Sequence, residues 1–103
     1  MAKVEAVDEA LRALADPGRR HILTLVRGDE RTAGEIAAEL PITWPAVSQH
    51  LRVLKGAGLV TERRDGARRY YRARPEGLDD VRAFLDEFWD DKLEALKREV
   101  ERG

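Results

Sequence analysis

Apolar residues recur along this 103-residue chain in short runs of helical period, each bounded by residues that start or stop a helix. Val4, Val7, Leu11 and Leu14 stand three and four apart, the stripe of a first helix ending near Ala15. Asp16-Pro17 opens a second helix: the carboxylate accepts from free backbone N–H groups, and proline in the first turn forgoes no needed donor. That helix turns Ile22, Leu25 and Val26 inward, and Gly28, able to take the left-handed conformation, is placed to close it. Thr32 and Glu35 are spaced as a capping box, starting a third helix with Ala33, Ile36, Ala37 and Leu40 on its buried face. Pro41 disfavours helical geometry at Leu40, and Thr43 can cap a fourth helix three residues later.

The fourth helix divides into two faces. Val47, Leu51 and Leu54 point inward, while Trp44, Pro45, Ser48, Gln49, Arg52 and Lys55 fall on the other side. Gly58 ends it, with Leu59 able to touch Leu54 as a Schellman closure requires. Residues 59–64 and 68–74 are β-compatible and joined through Asp65-Gly66, which suits positive φ: a hairpin with an arginine-rich tip. After Pro75, the residues Leu78, Val81, Leu85, Phe88, Trp89, Leu93, Leu96 and Val100 recur at three- and four-residue spacing along a long last helix. The expected fold is mainly α with a small β-hairpin. Five helices and a two- to three-stranded wing stand in the order of a winged helix-turn-helix, as a single domain over 1–103. The length is too short for two cores, and the chain has no internal repeat, low-complexity stretch or linker.

Charge changes the picture more than composition does. The net charge is −1, yet residues 17–75 hold twelve basic against six acidic side chains, while 1–16 hold two against four and 76–103 five against ten. A basic middle with acidic ends suits a polyanion bound to one face. The absence of cysteine excludes disulfides, thiolate metal sites and cysteine nucleophiles, and fits a reducing compartment. No run of about 18 apolar residues occurs, and the expectation is a cytoplasmic, unprocessed protein with no membrane contact.

Several stretches then resemble the ArsR family of bacterial repressors. Leu14-Ala15-Asp16-Pro17-Gly18-Arg19-Arg20-His21-Ile22-Leu23 is similar to the family's second-helix opening, and Pro45-Ala46-Val47-Ser48-Gln49-His50-Leu51-Arg52-Val53-Leu54-Lys55 to its recognition helix. Ala57-Gly58-Leu59-Val60 and the hairpin Arg63-Arg64-Asp65-Gly66-Ala67-Arg68-Arg69-Tyr70-Tyr71 continue the match over nearly the whole chain. The resemblance implies a homodimeric repressor of double-stranded DNA, joined through its first and last helices. It gives Ser48 and Gln49 to base edges, and Arg52, Trp44 and Lys55 to base or backbone contacts, with Pro45 in the same turn. His50 is a packing or phosphate-contact residue; Arg63, Arg64, Arg68 and Arg69 would grip phosphates or a narrow minor groove, with Arg19 and Arg20 as further phosphate candidates.

The same resemblance divides the chain into a DNA-binding core over 17–74 and dimerisation helices over 1–15 and 76–101. Val4, Val7 and Leu11 would form the seam with Leu85, Phe88, Trp89, Leu93 and Leu96, since one small domain can hardly cover that stripe and Phe84 alone. Two-fold symmetry implies an inverted-repeat operator. Many members of the family are metal sensors, but residues 32–40 lack thiols, and the last helix offers only carboxylates such as Asp86, Glu87, Asp90, Asp91 and Glu94. No metal or other cofactor is expected, and His21 is read as structural. An apolar ligand between the long helices, a protein effector, or no inducer all stay open. The alternative function is a winged-helix protein-interaction module without sequence-specific DNA binding; an enzyme is not expected, since no nucleophile–base constellation or phosphate loop is present.

Overall fold

The computed structural model describes residues 2–102, the side chains of 2, 3 and 90–92 excepted. Met1 and Gly103 of the single-domain reading, and the Asp90 and Asp91 carboxylates, lie outside the described residues. Five α-helices and one hairpin follow in the order α1 (Ala2–Leu14), α2 (Pro17–Val26), α3 (Ala33–Glu39), α4 (Trp44–Gly56), β1 (Val60–Asp65), β2 (Arg68–Ala73), a 3-10 turn (Pro75–Leu78) and α5 (Asp79–Arg102).

Helix starts follow the local chemistry. The Asp16 carboxylate accepts from the backbone N–H of Arg19 at 3.1 Å and caps α2. Both halves of the Thr32/Glu35 capping box form, at 2.9 and 3.2 Å. Leu40 leaves α3 extended ahead of Pro41, and Thr43 accepts from Ala46 to begin α4. At the end of α4, Gly58 takes φ +75, its N–H bonds to Lys55 O and that of Leu59 to Leu54 O, a Schellman closure.

The core is drawn from all five helices and the start of the hairpin. Ile22, Val26, Ile36, Val47, Leu51, Leu54, Leu59 and Val60 are buried, with Ala10 and Ala13 from α1 and Val81 from α5. Since α4 contributes Val47, Leu51 and Leu54, its opposite face must point outward.

Four features depart from expectation. In α1 the residues packed tightest are Ala10 and Ala13, with Val7 and Leu14 beside them, while Val4 and Leu11 stay exposed: the small side chains let α1 lie close to the core and turn half of the apolar stripe away. Gly28 does not close α2, because Arg27 remains right-handed and the exposed chain turns without a left-handed residue. The hairpin pairs Asp65 with Arg68, so its two-residue turn is Gly66-Ala67; only Gly66 has positive φ, the arrangement of a type II′ turn. Finally, Leu78 lies in the 3-10 turn that precedes α5. The wing has two strands, and Arg31 adds a single bridge to Tyr71 through paired backbone bonds of 3.0 and 2.8 Å.

Candidate nucleic-acid interface

With its inner face pinned, α4 presents Ser48, Gln49 and Arg52 outward, Ser48 half-buried and the other two exposed. Trp44 and Pro45 stand exposed in the first turn. The wing lies alongside. Between them runs an open groove of about 760 Å³, lined by Trp44 and Ser48 of α4, Gly34 and Glu35 of α3, and Arg68, Arg69 and Tyr71 of the wing.

The cations on this side are not equivalent. Arg63 donates twice to Glu30, at 3.1 and 2.5 Å, and sits over the Tyr70 ring at 4.7 Å. That hydrogen bond holds the Glu30 carboxyl below its ordinary range. Lys55 donates to Glu62 at 2.8 Å, and Arg69 lies 3.7 Å from the same carboxylate. Arg52, Arg64 and Arg68 form no ion pair among the described residues. Their guanidiniums remain available to phosphates.

Arg19 and Arg20 are occupied elsewhere. Arg19 donates to Ala13 O at 2.6 Å and Arg12 O at 3.0 Å, and Arg20 donates to Leu14 O at 2.7 Å. They bond to last-turn carbonyls of α1, of which Arg12 O also takes the Ala15 amide, and so fasten α1 to α2. His50 points back toward α2, with Nε2 3.7 Å from Asp16 Oδ2, and its Nδ1 is buried without a partner. Asp16 is held below its usual pKa, chiefly by the Arg19 amide and further by His50.

Sequence reading missed Glu62. Its carboxylate accepts from Lys55 and, at 3.2 Å, from the Tyr71 hydroxyl, joining the wing to α4. The Lys55 hydrogen bond lowers its pKa against the opposing effect of burial, and Tyr71 is pushed up by burial and by this carboxylate. Strand alternation from buried Val60, with Tyr71 directly opposite, was the available signal.

Away from this face lies an apolar strip. Val4, Leu11, Leu85 and Leu96 are exposed, as are Phe88 at 61%, Trp89 at 59% and Leu93 at 62%; Val7 is half-buried. Val4, Val7, Leu11 and Phe84 line a groove of about 350 Å³ between α1 and α5, rimmed by Asp8, Asp80 and Glu87. No helix among the described residues is long and apolar enough to cross a membrane.

A helix pair whose second member is pinned inside and polar outside, flanked by an arginine-tipped hairpin, defines a winged helix-turn-helix protein. Residues 16–62 match the family described as bacterial regulatory protein, arsR family. The chain is 46% identical to the HTH-type transcriptional regulator Rv2034 of Mycobacterium tuberculosis, over 86% of this chain and 83% of that protein. It is 38% identical to the transcriptional repressor SdpR of Bacillus subtilis, over 72% and 82% respectively. It also superposes, with a TM-score of 0.70 and 33% identity over 87% of this chain and 83% of the other, on the homodimeric winged helix-turn-helix DNA-binding domain (fragment 1-100) of Mb0332 from Mycobacterium bovis. The chain belongs to the ArsR family and is a DNA-binding transcription regulator, not an enzyme.

Proposed function

We propose that the protein is a cytoplasmic repressor that binds an inverted-repeat operator as a homodimer. Residues 17–74 are its DNA-reading core, and 1–15 with 76–101 its dimerisation helices. The observation that carries this reading is the orientation of α4: Val47, Leu51 and Leu54 are buried, which leaves Ser48, Gln49 and Arg52 facing solvent beside the wing. Ser48 and Gln49 have the reach and the hydrogen-bonding groups for base edges, Gln bidentately to adenine. Arg52, Arg64 and Arg68 supply phosphate contacts, with Arg69, Lys55 and Arg63 joining to the extent that they can leave Glu62 and Glu30. Pro45 and His50 set the start and the inner edge of the reading helix.

The dimer is supported by the exposed strip of Val4, Leu11, Leu85, Phe88, Trp89, Leu93 and Leu96, and by the homodimeric state of the M. bovis relative. Two-fold symmetry then sets half-site centres about 10–10.5 base pairs apart. Selection of genomic fragments by the purified protein, followed by Gln49→Ala, tests the proposal. The variant should lose about 1–3 kcal/mol of discrimination between operator and random duplex per reading helix; unchanged specificity would remove Gln49 from the reading set.

A further inference from the structure

We infer that Trp44 reads the C5-methyl group of one thymine in each half of the target duplex, an assignment that rests on the DNA-reading role of α4 given above. The indole is 58% exposed although it stands on a polar, cationic surface and not on the apolar α1/α5 strip. It occupies the first position of α4, one helical turn before Ser48 and on the same face, and both residues line the groove beside Arg68, Arg69 and Tyr71.

The ring is also held. A Cβ added at Gly34 would lie 2.7 and 2.8 Å from Cζ3 and Cη2 of the indole, so its far edge rests in a notch that any larger residue of α3 would fill. Glycine is a poor choice near the start of a helix on propensity alone, and the seated ring supplies the reason for it. One edge is therefore fixed against α3 while the rest is offered to whatever enters the groove.

The major groove presents a single apolar group, the thymine methyl, which matches the carbon face of the indole; an Nε1–H bond to a base acceptor such as guanine N7 would be untouched by loss of that methyl, so uracil replacement separates the two contacts. Insertion between base steps is the habit of minor-groove wedges and would require the ring to leave its seat. A fixed indole contacting a methyl discriminates thymine from cytosine and from uracil without a hydrogen bond.

The test uses the full chain and the operator it selects, with each thymine replaced in turn by deoxyuridine, which deletes only the methyl. One symmetry-related pair of positions should weaken binding about fourfold per half-site and about fifteenfold when both are replaced. Trp44→Ala should abolish that thymine–uracil difference while leaving preferences at the bases read by Gln49. Gly34→Ala, whose methyl displaces the ring without removing it, should abolish it too, at an unchanged or raised thermal midpoint because alanine favours the helix. Sequence-selective binding with no uracil-sensitive thymine overturns the Trp44 assignment alone, as does a Trp44→Ala protein that keeps the difference; sequence-blind binding by the wild type overturns both this assignment and the function on which it rests.

Discussion

Glu62 shows how a single residue alters the meaning of its neighbours. On a surface meant for phosphates a carboxylate is unfavourable, yet this one accepts from Lys55 and Tyr71, approaches Arg69 and stays largely covered. Its folded-state pKa lies below the usual 4.5, so the stability it contributes is complete above that value and is lost as the pH falls through the lowered one. Glu30 and Glu35 shift in the same direction for the same kind of reason, donors from Arg63 and from Thr32. The thermal midpoint followed by circular dichroism should therefore drop as the pH falls below about 4.5, and Glu62→Gln should flatten part of that drop. Parallel wild-type and variant profiles would contradict this. The outward placement of Ser48 and Gln49 was legible from helical spacing, because the partner that decides it is the helix's own inner face. The pairings of Arg63 with Glu30, 33 residues away, and of Lys55 with Glu62 on another element were not, because proximity there is set by how the hairpin folds back.

Among the elements, the boundary between α4 and the wing is fixed by Gly58, the left-handed residue at which the chain leaves the helix for β1. Gly58→Ala should cost about 1–2 kcal/mol in urea unfolding, whereas Gly28→Ala, at a site without positive φ and with open space, should cost nothing measurable. In the wing itself, Arg68→Ala with Arg69→Ala should flatten the dependence of log affinity on log salt by up to about 3.6 for a dimer that uses all four guanidiniums. Arg63→Ala should change that slope less than Arg64→Ala, since Arg63 is already committed to Glu30 and Tyr70. An identical effect of the two single substitutions, read from fluorescence anisotropy titrations, would refute the ranking. Caps and breakers in the sequence located these elements to within a residue or two. The hairpin turn slipped by one because Asp65-Gly66 and Gly66-Ala67 both supply a glycine at positive φ, and only the pairing register chooses between them.

Over the whole molecule, the extents are 63 × 30 × 22 Å and the radius of gyration is 17.7 Å, against about 13 Å for a compact chain of this length. The excess comes from α5, whose apolar residues beyond Val81 stand in the open. A long amphipathic arm is stable only where its stripe is covered, and in the proposed homodimer a second copy would supply the matching surface. Trp89→Asp should accordingly shift the protein from dimer to monomer in sedimentation equilibrium and weaken operator binding together with it. A variant that remains dimeric, or a monomer with undiminished affinity, would exclude the symmetric arrangement.

Local patterning was enough for the helices, the caps at Asp16, Thr32, Thr43 and Gly58, the order that makes a winged helix-turn-helix and the face that α4 shows to solvent, because each depends on interactions within about four residues or on apolar periodicity. Packing between elements settles which cations are unpaired among the described residues and which are tied to Glu30, Glu62 or the end of α1. It alone seated Trp44 on Gly34, ten residues earlier in the chain. Those outcomes depend on distances between elements, and a linear pattern carries no record of them.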